Sequence, residues 1–370
     1  MRFKLKGCAI ILAAAATALF ALGGCNAGGR SADIQPHLIA AGDDAPVRPI
    51  DSFETEALPD IDGELTDAQY RARVDDLYLT VTAGKKPIFV DDDPVKPVYD
   101  AAVELLDRYV LNKWHDGGDG AVNIVHALHD WLVCNVDYDF ALYSDYQAGN
   151  TDVADSPSFN IDGVLLGRTA VCDGLSRAMS FLCAMEGVDS IRVTGAHSGV
   201  PHAWNKVKID GKWYNVDVTA DAANYTADGG GLSKQLSHGY FLLSDETMRS
   251  RVGAHSGFDV TEFPAYEDYD YYADKMTDIG GASHMLTLRS QAELNAVFAD
   301  IGASKRAVGK IEFKLDFAGK SNVNGGDMYA AELAEAYGKA KKPDFVFDID
   351  KAQKPYFQYP NGVYLVLVYK

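Results

Sequence analysis

A cysteine in Ala170-Val171-Cys172-Asp173-Gly174, a histidine in Pro201-His202-Ala203-Trp204 and an aspartate in Asn215-Val216-Asp217-Val218-Thr219 follow one another along the chain. A thiol, an imidazole and a carboxylate can serve as nucleophile, general base and the group that orients the base. The chemistry open to the three together is acyl transfer through a thioester. Helical periodicity over 171–186 puts Cys172 at a helix start, where the macrodipole favours an anion and a nearby imidazole would favour the thiolate further. The Cys172 backbone N–H can also donate to an oxyanion. Tyr143 and Gln147 are both candidates for a second donor, and the sequence does not choose between them.

Period-two patterning gives strands at 191–195, 203–209 and 212–218, and Asp210-Gly211 joins the last two as a two-residue hairpin. That turn pairs Ile209 with Lys212, which sets Asp217 opposite Trp204 and His202 opposite Thr219. His202 and Asp217 then form a diagonal pair on one face, with backbones about 7 Å apart. A one-residue slip would send them to opposite faces. Trp204 is a candidate for lining the site and shielding the pair from water. His197 is a weaker competitor for the role of base, because it falls in an expected loop over 195–201. Asp221 could replace Asp217 only if the strand ran further, and Asp173 suits the helix N-terminus.

The string from Gly167 to Ala178, the His202-Ala203-Trp204-Asn205 segment with its Lys212-Trp213-Tyr214 return, and Asp217-Val218-Thr219 together resemble the transglutaminase-like superfamily. The resemblance spans about residues 95–251 and includes a helix ending in Asn135-Val136-Asp137-Tyr138-Asp139. It implies a papain-like α+β core whose Cys, His and Asp fall on Cys172, His202 and Asp217. That family holds transglutaminases, peptidases, amidases and inactive relatives, so it leaves the reaction type open.

At the N-terminus, Arg2, Lys4 and Lys6 precede an uncharged apolar run that closes on Leu22-Gly23-Gly24-Cys25. This resembles a bacterial lipoprotein signal peptide, and it implies lipidation at Cys25 and an extracytoplasmic protein held to the membrane by that lipid alone. The run is shorter than the ~20 apolar residues that span a bilayer. The formal charge of −19 argues against nucleic acid as a partner. With the leader removed and Cys25 lipidated, Cys134, Cys172 and Cys183 remain. The last two are too far apart along one helix to bridge, so no disulfide scaffold is expected. Cys134 and Cys183 read as buried apolar groups.

These signals divide the chain into a leader at 1–25, a spacer and lead-in at 26–94, a catalytic unit at 95–279 and a small α+β unit of unassigned role at 280–370. Helices are expected at 95–114, 121–134 and 171–186, and no internal repeat is evident. His126 and His129 are expected to face solvent on the polar side of the second helix. The acidic aromatic run Tyr266-Glu267-Asp268-Tyr269-Asp270-Tyr271-Tyr272 is expected to be a packed loop. Asp91-Asp92-Asp93 lacks an EF-hand loop, so calcium is not expected.

The resulting expectation is a cell-surface cysteine enzyme of α+β fold that needs no cofactor and hydrolyses a peptide or isopeptide amide. Its partner would be a peptide or protein, with cell-wall material one candidate. The alternative is a surface binding module that keeps the fold without turnover.

Overall fold

The computed structural model describes residues 49–60, 63–110, 120–150, 153, 155–222, 238–250, 254–269, 287–303, 310–320, 329–339, 356–358 and 363–367. The leader with Cys25, most of the spacer, the glycine break at 117–119, the boundary at 280–283 and a strand expected at 344–349 lie outside these residues. No helix among the described residues is long and apolar enough to cross a membrane.

Strand β1 (Thr55–Ala57) and β2 (Lys86–Ile88) flank helix α1 (Asp67–Thr82). Thr66 starts α1 with a capping box, accepting from the Gln69 N–H while Gln69 reaches back to the Thr66 backbone. Then come α2 (Lys96–Tyr109), α3 (Gly120–Asn135), β3 (Asp137–Tyr138), α4 (Phe140–Gln147) and β4 (Thr169–Ala170). Helix α5 (Cys172–Met185) opens on Cys172 and is followed by a left-handed glycine, Gly187.

Three strands follow: β5 (Ser190–His197), β6 (Val200–Ile209) and β7 (Lys212–Val216). After the short helix α6 (Val218–Ala222) come β8 (Phe241–Leu243), α7 (Asp245–Ser250) and β9 (His255–Ser256). The five strands form one antiparallel sheet in the order β8-β7-β6-β5-β9. The C-terminal region carries β10 (Thr287–Leu288), α8 (Gln291–Ala303), β11 (Lys310–Leu315), α9 (Ala330–Lys339), β12 (Tyr356–Gln358) and β13 (Val363–Leu367), with strand order β10-β11-β13-β12. The α+β class stands: helices pack on an antiparallel sheet.

The Asp210-Gly211 hairpin forms with both residues at positive φ, and it pairs Ile209 with Lys212, Val207 with Tyr214 and Asn205 with Val216. Strand alternation then sorts the faces. Val207, Ile209, Tyr214 and Val216 join the main core with Leu175, Ala178 and Leu182 of α5 and with Leu128 and Leu132 of α3. Val193, Trp204 and Leu243 build a second cluster on the other face with Met248 and Phe258. The main core also takes Ile50, Val74, Leu77 and Val81, so residues upstream of 95 belong to it and are more than a lead-in.

Two further boundaries differ from expectation. β5 continues to His197 because Ser198 and Gly199, at φ 53° and 79°, form a second tight hairpin where a seven-residue loop was expected. β7 stops at Val216, since α6 begins at Val218 where the strand was expected to continue.

Candidate active site

Each group sits where a different local rule puts it. Cys172 opens α5, and Gly174 lets that first turn press against the 157–160 segment. A Cβ on Gly174 would lie 2.5 Å from the Ser158 carbonyl oxygen. His202 is on β6 opposite Gly195 of β5. Asp217 stands between β7 and α6, and its Oδ1 accepts from the Ala220 N–H at 2.9 Å, which starts that helix. Asn205 fastens strand to helix, donating to the Ser176 carbonyl and to Ser180 Oγ, both at 2.8 Å.

The expected diagonal is present: His202 Nε2 is 2.8 Å from Asp217 Oδ2, with Asp217 fully buried. Since Nε2 is committed to the carboxylate, Nδ1 is the nitrogen left for the thiol. Cys172 and His202 line one cavity of about 400 Å³ together with Tyr143, Gln147, Arg177 and Arg192. Burial alone would drive the proton off His202, but the Asp217 charge and hydrogen bond, with help from Cys172, reverse this and hold its pKa up at about 10. Asp217 resists its own burial and stays well below the usual carboxylate range because His202 and His255 both bond it.

Trp204 is 1% exposed and does line the pair. Its indole lies nearly parallel to the His202 ring, with centroids 5.9 Å apart at 19°, and its Nε1–H donates to Asn215 Oδ1 at 3.0 Å. Tyr138 is a further candidate for the second oxyanion donor, its hydroxyl lying beside Cys172 with the Cys172 backbone N–H directed at it. Burial pushes the Tyr138 phenol well above its ordinary value, so it remains a donor. Tyr143 and Gln147, the two donors the sequence offers, both line the cavity with Cys172 and His202.

His255 was not foreseen from the sequence. Its Nε2 is also 2.8 Å from Asp217 Oδ2, and its ring stacks on His197 with centroids 4.5 Å apart at 9°. Burial lowers the His197 pKa to about 4. A signal did exist: Gly-Ala-His-Ser-Gly occurs at 195–199 and again at 253–257, and the two copies meet as paired strands with His197 opposite His255. His197, His202, Asp217 and His255 have ligand atoms close enough to suggest a metal. Parallel stacked imidazoles, however, aim their lone pairs side by side and not at a common point.

The expectation that His126 and His129 face solvent is corrected: both are buried. His129 lies between two carboxylates, Nδ1 3.2 Å from Asp130 Oδ1 and Nε2 3.0 Å from Asp221 Oδ2. His238 Nε2 is 2.7 Å from Asp130 Oδ1, and His126 Nε2 is 3.1 Å from Asp130 Oδ2. The two helix positions point inward because α3 packs on both sides, which a polar-face reading of one helix cannot show. Asp221 is thus part of this inner network, and its oxygens also accept from the Tyr240 N–H. Asp173 pairs with Arg177 and Arg192 beside the cavity. Cys134 and Cys183 are buried and form no disulfide, as expected. The described part of the acidic aromatic run packs on the sheet, with Glu267 2.6 Å from Lys212 and Asp268 accepting from the Ser244 N–H at 2.7 Å.

Comparison with known proteins addresses the segment that carries Cys172, His202 and Asp217. Residues 110–218 match the model of the transglutaminase-like superfamily. The chain is also 26% identical over 107 residues to the human kyphoscoliosis peptidase, an alignment covering 26% of this chain and 15% of that protein. The chain therefore spans a small fraction of that relative's length. A crystal structure of a TGase is 21% identical, covering 40% of this chain and 37% of that chain at a TM-score of 0.31. The fold is transglutaminase- and papain-like over the matched segment. His238 and His255 lie beyond the matched residues.

Proposed function

We propose that the protein is a cell-surface cysteine hydrolase that cleaves a peptide or isopeptide amide through a thioester on Cys172. The observation that carries this reading is Cys172 and His202 together at the wall of an open cavity, with Asp217 buried behind the imidazole and bonded to it.

The Cys172 proton is already held on His202 Nδ1, in keeping with the raised pKa of that imidazole, when the sulfur attacks the amide carbon, and Asp217 stabilises the imidazolium. The developing oxyanion is met by the Cys172 N–H at the helix start and the Tyr138 hydroxyl. As the intermediate collapses the C–N bond breaks, and His202 returns its proton to the departing amine. A water then attacks the thioester with His202 as base, releasing the acid and regenerating the thiol. Water, and not an amine, is the acceptor in this scheme. Surface location rests on the leader and on lipidation of Cys25, with cell-wall or protein amides as the substrate class.

The test is a screen of peptide and wall-fragment amides with acid quench and intact-mass measurement. The proposal expects an acyl adduct on Cys172 that hydroxylamine removes and that Cys172→Ala abolishes. Turnover that survives Cys172→Ala would refute it.

A further inference from the structure

Asp217 Oδ2 receives two imidazoles, one from His202 on β6 and one from His255 on β9, each at 2.8 Å. His255 is 1% exposed, and its Nδ1 is buried without a hydrogen-bond partner. A proton on Nδ1 would be an unpaired buried donor, so the ring carries its proton on Nε2 and gives it to the carboxylate. The ring is held from three sides: His197 stacks on one face, Trp204 meets it edge-on at 4.7 Å, and Tyr240 lies 5.6 Å away. Gly195 makes the approach of β9 possible, because a Cβ there would lie 2.5 Å from the Ser256 carbonyl oxygen and 3.0 Å from Trp204.

We propose that His255 is a positioning residue: by donating to the carboxylate oxygen that holds His202, it fixes the orientation of Asp217 and moderates the pull of that carboxylate on the His202 imidazole. The inference deepens the catalytic reading above and rests on it. An unshared buried carboxylate would bind the His202 proton more tightly, and an imidazolium that clings to its proton is a poor acid for the departing amine. The titratable groups facing this cluster are Cys172 from α5 with Tyr138 beside it, His197 from β5, and Tyr240 ahead of β8. The imidazoles that bond Asp217 Oδ2 are those of His202 and His255.

The experiment uses the full chain labelled with 15N-histidine, comparing the parent with His255→Phe and His255→Gln, and following His202 by NMR across pH. The proposal expects the Nε2–H form at His255. It also expects a His202 midpoint that rises by about one pH unit in His255→Phe, a tenfold gain in proton affinity, and that returns toward the parent in His255→Gln. A proton on Nδ1 of His255, or a midpoint unchanged or lowered in His255→Phe, would overturn it. Should His255→Phe fail to fold, the parent's tautomer still decides, because the Nδ1–H form alone refutes the proposal. Iodoacetamide labelling of Cys172 in His202→Ala reports separately on the catalytic reading, so the two can fail independently.

Discussion

Asn205 donates to the Ser176 carbonyl at 2.8 Å, which fastens the strand bearing His202 to the first turns of the helix bearing Cys172. The same amide reaches Ser180 Oγ. The approach of sulfur to imidazole is therefore set by a buried side chain that takes no part in the chemistry. Replacing Asn205 with Leu should remove two buried hydrogen bonds, a loss of about 1–3 kcal/mol in urea unfolding, although Ser180 Oγ keeps Ser190 Oγ at 3.2 Å. Cys172 alkylation should slow more than that loss of stability alone explains. A variant of lower stability with unchanged alkylation would separate the tie from the site.

Trp204 offers a second check. Trp204→Phe should keep the stack on His202 but strand Asn215 Oδ1, at a cost of about 1–3 kcal/mol. Trp204→Ala should cost about 3–5 kcal/mol by opening a cavity. Chemical denaturation measures both, and a Trp204→Phe variant as stable as the parent would mean that the indole N–H bond matters little.

The pH dependence follows from His202. Its pKa is raised to about 10, so pairing with Asp217 contributes stability that is fully present below about 6.5 and is lost as pH rises through about 10. The alkaline limb of amide turnover should fall near the same value. Asp217→Asn should bring that limb down and reduce the rate by about a thousandfold or more, since the imidazole loses the carboxylate that orients and stabilises it. A pH–rate profile that keeps its alkaline limb in Asp217→Asn would contradict this.

His129 behaves similarly but deeper in the protein. Burial opposes its charge, yet Asp130 and Asp221 on either side outweigh burial and raise its pKa. Its contribution is thus present below about 6.5 and is lost as pH rises through the folded value. His129→Gln leaves two buried carboxylates short of their cation and should cost about 3–5 kcal/mol. The gap to the parent should be widest at mildly acidic pH and narrow on the alkaline side. Thermal melts from pH 5 to 10 measure it, and a gap independent of pH would show that His129 carries no charge.

How far the sequence showed all this depends on how local each signal is. The Asp210-Gly211 turn fixed the register of β6 and β7, and with it the His202–Asp217 diagonal, because a two-residue hairpin admits one pairing. The α5 start and its terminal glycine were equally readable. Ser198-Gly199 gave a comparable turn signal that was read as a loop, and this left His197 off its strand. The Thr66 and Gln69 box marked α1, which went unassigned. His255 reaches Asp217 across 38 residues of intervening chain, and only the repeated Gly-Ala-His-Ser-Gly hinted at it. The burial of His126 and His129 depends on what covers both sides of α3, a fact of tertiary packing that no single helix carries.

The central claim is that Cys172 is a nucleophile activated by His202 and Asp217. Mass-spectrometric mapping of iodoacetamide labelling at neutral pH tests it most directly, with Cys134 and Cys183 as buried internal references. The account predicts rapid alkylation of Cys172 in the parent, at least tenfold slower alkylation in His202→Ala, an intermediate rate in Asp217→Asn, and little reaction at the other two thiols. Three thiols that react at similar slow rates, or a Cys172 rate indifferent to His202, would contradict it.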